Sequence, residues 1–434
     1  MRQESNDAAL AGPAPARRAW IAVGVFCVVL AVHGFSGVHH KADSLWTLPT
    51  AMSLWAHGSA DLSAYPAAGD PRDYRLERAG GRVYNAFPAG TSILSLPFVA
   101  VADAGCRIVR GESYEEALKR SPHSALEPFI ASVFVALASA LIFLMADRRL
   151  KSVPLSLVLV LVFAFCTSAW STASRALWSH GPSMLMLSAA LYCFLRAKEK
   201  PGLLFWAGLA LAFAFVVRPT NVVSVAAFSV LVLARYRRGA LSYFIALAFV
   251  GVLFVAFNAD LYGKLLPDYF SAGRLGFHEH FDEALAGNLI SPARGLFIYS
   301  PVLLFAIAGV AIAWRRGLFG ALDRSLAVIV VLHWLVISAY AHWWGGHSYG
   351  PRLFTDMLPF LVWLMIPAVE MFRRPWGRRA RAWLAVFVVL AAFSGFVHFR
   401  GATHGGCIGW NPRPVDVDQH PERLWDWSDP AFLR

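Results

Sequence analysis

Residues 127–170 read EPFIASVFVALASALIFLMA, DRRLKS and VPLSLVLVLVFAFCTSAW, which are two apolar runs joined by six residues, three of them basic. Each run is long enough to cross the roughly 30 Å hydrocarbon core of a bilayer as a helix. The rest of the chain has the same character, because 57% of its 434 residues are hydrophobic, 15% are charged and its mean hydropathy is +0.52. A soluble domain carries about 25% charged residues. The composition therefore predicts an all-α integral membrane protein.

The chain contains eleven apolar runs that are long enough to span a bilayer, which takes about 17 to 25 residues or slightly fewer where a helix is short or broken. They indicate one membrane domain over residues 1–434 with no separate soluble domain. They cover residues 18–35, 127–146, 153–170, 181–196, 203–217, 221–235, 241–258, 296–314, 325–341, 353–370 and 382–398. A further run, Pro88 to Ala102, has only about 15 residues and contains Pro97, which suits an interfacial or re-entrant helix. Residues 1–17 are predicted to be a disordered tail. The first run is predicted to be a span and not a cleaved signal peptide, because no clear small-x-small cleavage site follows it.

The distribution of charge predicts the topology. With the short run left out, alternate connections between the spans hold 20 of the 39 basic residues but only 6 of the 27 acidic ones. The positive-inside rule places these connections in the cytoplasm, so the N-terminus is predicted inside and the C-terminus outside. Three long segments then lie outside, at 36–126, 259–295 and 399–434, and we expect the functional site there. The net charge of +12 follows from topology, and nucleic acid binding is not supported.

Cysteine and metal-binding patterns are sparse. The five cysteines form no CxxC, and no HExxH, GxGxxG or Walker A pattern occurs, so no metal or nucleotide site is predicted. Asp416-Val417-Asp418 in the outer tail is interpreted as tail polarity. Cys106 and Cys407 are the two cysteines outside the predicted spans, both on the outer side, and we hypothesise that they form a disulfide. Two unrelated thiols are the alternative.

The first outer segment contains a candidate catalytic carboxylate, Asp43. Apolar residues spaced three, four and three apart follow it, which predicts a helix over 46–57 along the outer interface. These residues are Leu45, Leu48, Met52 and Trp55. A carboxylate near the start of this helix is favoured as the anion and lies close to the depth of a lipid phosphate, so Asp43 is a candidate general base. A helix N-cap is the equal alternative, because aspartate is a preferred capping residue.

Several of these features form a pattern that resembles a known family. Asp43 comes shortly after the first span, a juxtamembrane helix follows it, and Phe87-Pro88 opens the short apolar run. Residues 291–297 read Ser-Pro-Ala-Arg-Gly-Leu-Phe, and residues 343–352 read Trp-Trp-Gly-Gly-His-Ser-Tyr-Gly-Pro-Arg. Over most of its length the chain resembles the GT-C superfamily of membrane glycosyltransferases, which includes protein O-mannosyltransferases and lipid A aminoarabinose transferases. It departs from the pattern at Ser44, where several members carry a glutamate after the aspartate.

The resemblance implies a transferase that uses a polyprenyl-phosphate sugar. A hexosyl or pentosyl group would pass to a lipid, glycan or protein acceptor by displacement at the anomeric carbon, with Asp43 as the base. The enzyme would lie among the lipids of a bacterial inner membrane, with its active site facing the periplasm. No cofactor is implied. A divalent cation is compatible with this chemistry but is not indicated, because arginines can take its role.

Arginines at the outer ends of spans are the candidates for binding the donor phosphate, because a guanidinium meets phosphate oxygens bidentately. They are Arg352, Arg294, Arg218 and Arg175. Snorkelling of arginine to the interface would explain any one of them singly. The weaker candidates for substrate binding are His180, His347, Tyr84 and Trp344. Structural hydrogen bonding or interface anchoring is the alternative role for these four residues.

Two other functions are compatible with the sequence. One is a transporter of an anionic or lipid-linked substrate, which would also have about eleven helices and ions at membrane depth. Only Asp356, and Glu370 at an end, lies inside a later predicted span, which does not favour transport. The chain shows no internal repeat of the kind that transporters commonly have, which weakens this alternative. The other is a polymerase or ligase that acts on lipid-linked glycans. Glycosyl transfer is the preferred prediction.

Overall fold

The computed structural model describes residues 15–40, 43–271, 273, 276–373 and 377–434, and most of these residues are helical. The helices in chain order are α1 (Pro15–Gly34), α2 (Thr47–His57), α3 (Gly90–Arg110), α4 (Tyr114–Arg120), α5 (Leu126–Leu150), α6 (Val153–Phe165), α7 (His180–Ala197), α8 (Leu203–Val217), α9 (Val222–Arg235), α10 (Ala240–Tyr262), α11 (Phe281–Ile290), α12 (Leu296–Tyr299), α13 (Leu304–Arg315), α14 (Ala321–Ser338), α15 (Leu358–Leu364), α16 (Ile366–Val369), α17 (Arg378–Thr403) and α18 (Gly405–Gly409). An antiparallel hairpin, β1 (Leu76–Ala79) and β2 (Arg82–Asn85), lies in the first outer segment.

Each apolar run predicted as a span coincides with a helix or with a series of short helices. The breaks in two runs lie near prolines, which lack a backbone N–H: Pro301 between α12 and α13, and Pro367 in the first turn of α16. By length and composition, six helices of the described chain are able to cross a membrane, or seven if the bent pair Arg352–Leu364 and Ile366–Arg373 is one span. The helical membrane class is confirmed, and the number of eleven spans stays a prediction.

The core lies around α5, which is buried along most of its length against α1, α6 and α7. Close packing is visible between α8 and α10, where a Cβ on Gly208 would stand 2.5 Å from the carbonyl oxygen of Tyr243. By contrast, α10 and α17 bury few residues and expose large apolar side chains such as Phe249 and Val389. These two helices have the surface expected of helices that face lipid.

Contacts at the helix ends join connections that the charge rule places on the same side. Arg18 pairs with Asp147 at 2.8 Å, and Arg373 donates to the carbonyl of Leu150. All four residues belong to, or border, connections predicted to be cytoplasmic. This grouping fits the predicted alternation of the spans, while the orientation of the whole chain stays a prediction.

The short apolar run of the first outer segment forms a longer helix than predicted. Helix α3 has 21 residues and is long and apolar enough to cross a membrane. The predicted length was wrong because Asp103 and Arg107 pair at 2.9 Å one turn apart, which extends the helix until Gly111 ends it in the left-handed conformation. The hydroxyl of Ser92 donates to the carbonyl of Thr47 at the start of α2, and both α2 and α4 pack on α3. This packing favours a position of α3 along the outer interface beside α2.

Reporter fusions test this topology. Fusions at Lys200 and Arg379 are expected to read cytoplasmic, and fusions at Gly111 and Asp429 are expected to read external, because basic residues concentrate in the cytoplasmic connections. A cytoplasmic reading at Gly111 would show that α3 crosses the membrane and would overturn the eleven-span arrangement.

Two local predictions concern helix ends. The helix predicted over 46–57 is confirmed as α2, and Gly58 ends it with φ at 63°. Of the predicted disordered tail, residues 1–14 lie outside the described residues, and 15–17 form the first turn of α1.

The hypothesised disulfide is wrong in this structure, because Cys106 and Cys407 are both free thiols. Cys106 packs against the main hydrophobic core. Cys407 lies in a separate outer cluster, with its thiol 3.6 Å from the carbonyl oxygen of Arg434. The two cysteines therefore belong to different packing units.

Candidate functional site

Asp43 lies between an arginine and a tyrosine. Its Oδ2 accepts a hydrogen bond from Arg352 Nη2 at 2.5 Å, and its Oδ1 accepts one from the Tyr74 hydroxyl at 2.8 Å. Arg352 comes from a 3-10 turn directly before α15, and Tyr74 comes from the turn before β1. The Asp43 side chain is 20% exposed. The fold therefore brings the predicted base together with a predicted phosphate-binding arginine.

The surroundings of Asp43 keep its carboxylate ionised. Burial by itself raises the pKa of Asp43, but the charge and hydrogen bond of Arg352 and the hydrogen bond of Tyr74 lower that pKa below its usual value. Helix α2 begins after Trp46 without a side-chain cap. The alternative in which Asp43 is only an N-cap is therefore not what the structure shows.

Arg352 keeps donors that an anion can use. A guanidinium has five N–H groups. Besides the bond to Asp43, Nη1 donates to the carbonyl of Gly345 at 3.1 Å and Nε donates to His180 Nε2 at 3.2 Å. The guanidinium carbon lies 3.8 Å from the ring centroid of Trp178, which fixes the cation over an aromatic face. Within the described chain the two remaining N–H groups have no hydrogen-bond partner, and 13% of the side chain is exposed.

His180 connects Arg352 to a second ion pair. Because Arg352 Nε only donates, His180 Nε2 is the acceptor, and the ring proton is on Nδ1, 3.4 Å from Asp356 Oδ1. Asp356 Oδ2 lies 2.6 Å from Arg218 Nε. His180 and Asp356 are fully buried, so the pairing holds both arginines in place. The structure thus brings three sequence-predicted residues together with Asp43.

Arg175 is held by the end of α1. Its guanidinium donates to the carbonyls of His33 and Ser36 and to the hydroxyl of Ser132, and only 1% of the residue is exposed. Carbonyls at a helix C-terminus lack partners within the helix, and Arg175 supplies donors for them. The structure therefore does not support the predicted role of Arg175 in phosphate binding.

Arg294 is also occupied by structural contacts. It donates to the carbonyls of Trp344 and Gly346 and to the side chain of Asn411, at 2.8, 3.0 and 2.6 Å, and is 2% exposed. These bonds tie residues 343–350 to the outer tail. The structure does not support phosphate binding by Arg294, because its donors face protein oxygens in a buried position.

Trp344 and His347 face the outer tail. Trp344 Nε1 donates to Asp418 Oδ1 at 2.7 Å, and His347 Nε2 lies 2.9 Å from Asp416 Oδ1. The interpretation of Asp416-Val417-Asp418 as tail polarity is therefore corrected, since this segment packs on the turn next to Gly345. His347, Asp416 and Asp418 offer ligand atoms within 4.8 Å of one another, a set that suits a divalent cation. Their mutual hydrogen bonds also account for the arrangement, and the absence of a metal site stays a prediction.

Tyr84 packs in a small satellite cluster. It is 2% exposed, and its ring meets the ring of Tyr262 edge-on at 5.2 Å between centroids. Ala60 and Leu261 complete the cluster. No contact in the described chain links Tyr84 to Asp43, so the structure places it in packing between the hairpin and the end of α10.

An apolar cavity of about 460 Å³ is lined in part by residues that are close in sequence to Arg218. Its size falls within the roughly 300–1,000 Å³ of ligand pockets. Val216 in its wall is two residues before Arg218, and Phe87 and Pro88, which the family resemblance singles out, also line it. Most of the remaining wall is aromatic or aliphatic: Phe213, Phe249, Leu253, Phe254, Phe257, Tyr262, Tyr269 and Phe270. The lining suits a hydrocarbon chain.

Three residues of the site, Asp356, Trp178 and Tyr74, are not among the candidate site residues predicted from the sequence. Asp356 carries a usable signal, because an ionisable residue inside a predicted span marks a functional site by default. Trp178 precedes His180 by two residues and could be found as an aromatic neighbour of a candidate. Tyr74 carries no signal, because its hydroxyl reaches Asp43 only through the fold of the first outer segment.

Fold and site together define a helical membrane protein with a carboxylate–arginine centre at one end of its helices. No protein-family model and no curated protein matches the sequence. The fold is similar to the crystal structure of ArnT from Cupriavidus metallidurans bound to undecaprenyl phosphate, with 13% identity, a TM-score of 0.49 and coverage of 90% of this chain and 72% of that chain. The similarity is one of fold.

Proposed function

We propose that this protein is a glycosyltransferase that moves a sugar from a polyprenyl-phosphate donor to an acceptor at the outer face of a bacterial inner membrane. The supporting observation is the contact between Asp43 and Arg352, which combines a base with an anion-binding group. The donor phosphate would bind the two unused N–H groups of Arg352, and charge-assisted bonds of this kind are roughly twice as strong as neutral ones. The apolar cavity near Arg218 would hold part of the prenyl chain.

The proposed reaction is a direct displacement at the anomeric carbon. The acceptor hydroxyl oxygen forms the new bond to this carbon while the bond from the carbon to the phosphate oxygen breaks. The hydroxyl proton passes to Asp43, and the electron pair of the broken bond leaves with the lipid phosphate. Arg352 stabilises the negative charge that develops on the leaving phosphate.

Donor binding would also activate the base. In the structure Arg352 lowers the pKa of Asp43 and so makes it a weak base. A donor phosphate on Arg352 shares the positive charge with Asp43, so the pKa of Asp43 rises toward a value that suits proton abstraction. Asp43 therefore becomes an effective base when the donor is in place.

Tyr74 occupies the acceptor side of Asp43, and its replacement by phenylalanine tests this arrangement. Tyr74 is 68% exposed while its hydroxyl donates to Asp43 Oδ1, the oxygen that does not contact Arg352. An acceptor hydroxyl must compete with this bond to a charged group, and such bonds are worth about 1.5–3 kcal/mol. Tyr74→Phe is expected to lower the acceptor KM by roughly 10-fold or more, with donor affinity unchanged. The acceptor KM is measured from the kinetics of sugar transfer to a dilution series of envelope extract, prepared from a deletion strain that lacks this protein.

Tyr65→Phe is the matched control for Tyr74, because the Tyr65 hydroxyl bonds to the carbonyl of Pro49 in the same outer segment. An acceptor KM that is equal in both variants and the wild type would remove Tyr74 from the acceptor side.

Mass spectrometry of envelope glycolipids and glycoproteins tests the function as a whole. The deletion strain is expected to lack one sugar mass on one acceptor, and wild-type protein but not Asp43→Asn is expected to restore it. A loss of long glycan chains would favour the polymerase or ligase. Uptake of substrate into sealed liposomes without a new glycosidic bond would favour the transporter.

A further inference from the structure

Glu127, the second residue of α5, is a buried acid outside the cluster described above. It is 8% exposed, and in the described chain no arginine, lysine or histidine pairs with it. Its Oε1 accepts hydrogen bonds from the hydroxyl of Ser44 and from the backbone N–H of Leu177, the latter at 3.1 Å. Burying an acidic side chain without a counter-ion costs stability, which points to a specific task for this group.

The two bonds of Glu127 reach both halves of the site. Ser44 directly follows Asp43 in the chain. Leu177 directly precedes Trp178, whose ring lies under the guanidinium of Arg352. One oxygen of Glu127 therefore connects Ser44 with Leu177. The first of these residues is next to Asp43, and the second is next to the tryptophan that lies under Arg352.

We propose that Glu127 is a positioning residue that sets the placement of Asp43 relative to Arg352, an inference that rests on the proposed glycosyl transfer. The backbone supports it from the other side, since the N–H of His40 donates to the carbonyl of Arg175 at 3.0 Å. Asp43 thus lies between two connections to residues 175–177, one through the backbone of His40 and one through Glu127. The connection through Glu127 is the one that a side-chain substitution can remove.

The positions of reacting groups decide rate steeply, because a displacement of 1 Å costs about 10²-fold. Glu127→Ala removes both bonds and is expected to lower kcat about 10²-fold and to weaken binding of undecaprenyl phosphate about 10-fold. Ser44→Ala removes only the bond on the base side. It is expected to lower kcat about 10-fold with undecaprenyl phosphate binding unchanged.

Glu127→Gln separates positioning from charge. The amide oxygen of glutamine accepts the same two hydrogen bonds at the same chain length, so this variant is expected to keep kcat and lipid binding within about 3-fold of wild type. Purified protein in detergent is assayed for sugar transfer to the deletion-strain extract, and undecaprenyl phosphate binding is measured by native mass spectrometry. Thermal unfolding of each variant is recorded in the same detergent.

Glu115→Ala is the matched control. Glu115 is also 8% exposed, and its carboxylate bonds to His57 and Lys119 in the first outer segment, away from the Asp43–Arg352 pair. This variant is expected to leave kcat and lipid binding unchanged. If Glu127→Ala does not fold, the contrast between Ser44→Ala and Glu127→Gln still decides the matter.

The outcomes separate this inference from the function on which it rests. A folded Glu127→Ala variant with wild-type kcat and lipid binding would overturn the positioning role. A Ser44→Ala variant with wild-type kcat would overturn it as well. Equal losses in Glu127→Gln and Glu127→Ala would overturn it too, because charge would then be the cause. Full transfer by Asp43→Asn would instead contradict the proposed mechanism, while the lipid-binding measurements would still report on Glu127.

Discussion

Asp43→Asn is expected to lower the turnover of sugar transfer by about 10² to 10⁴, the range that a lost general base explains. Asparagine keeps the size of the side chain and still accepts the hydrogen bond of Tyr74, but it does not take up the acceptor proton. Donor affinity should be unchanged or slightly higher, because Arg352 no longer shares its charge with a carboxylate. A loss in kcat without a loss of binding is the signature of an interaction made in the transition state.

The measurement is transfer by purified protein in detergent, with donor binding determined in parallel. Asp61→Asn is the matched control, since Asp61 lies in the same outer segment and accepts hydrogen bonds from Ser63 rather than from Arg352. The control is expected to keep wild-type turnover. Full transfer activity in Asp43→Asn would remove this residue from the catalytic role.

The fold was predictable to the extent that the bilayer dictates it. A helix needs about 20 apolar residues to cross the hydrocarbon core, and apolar runs such as the one that forms α5 have this length. The helix after Asp43 could also be predicted, because the spacing of Leu45, Leu48 and Met52 is that of one helical face. The length of α3 could not be predicted from its apolar run, because the helix continues beyond that run through the ion pair of Asp103 with Arg107.

The site was predictable in its residue types but not in their pairing. Position at the outer end of a span made four arginines candidates, and flanking Gly and Pro favoured Arg352 and Arg294 over Arg175 and Arg218. The structure distinguishes them by the partners of their N–H groups. Arg175 and Arg294 donate to uncharged protein oxygens, whereas Arg218 and Arg352 pair with carboxylates. Such contacts depend on how distant segments pack. Asp43 and Arg352 are 309 residues apart, and no local pattern links them.

Arg352→Ala is expected to weaken donor binding and turnover together. The substitution removes the unused N–H groups proposed to hold the phosphate, and hydrogen bonds to charged groups contribute about 1.5–3 kcal/mol, which corresponds to roughly 10- to 100-fold in affinity. Turnover falls further because the leaving phosphate loses its cation. Arg352→Lys should recover only part of both, because an ammonium lacks the planar fork and makes a poorer contact with Trp178. Arg72→Ala, at an exposed arginine of the same outer face, is the control.

The pH dependence of Arg352→Ala connects the arginine to the base. In the wild type, burial raises the pKa of Asp43 while Arg352 and Tyr74 lower it more strongly, so Asp43 stays deprotonated well into the acidic range. Removing Arg352 leaves burial opposed only by weaker interactions such as the Tyr74 bond, and the pKa of Asp43 must rise. Because a general base works only when deprotonated, the acidic limb of the pH–rate profile should move to higher pH in Arg352→Ala. If this limb keeps its wild-type position while turnover falls, Arg352 acts on the donor alone and the titrating base is a group other than Asp43.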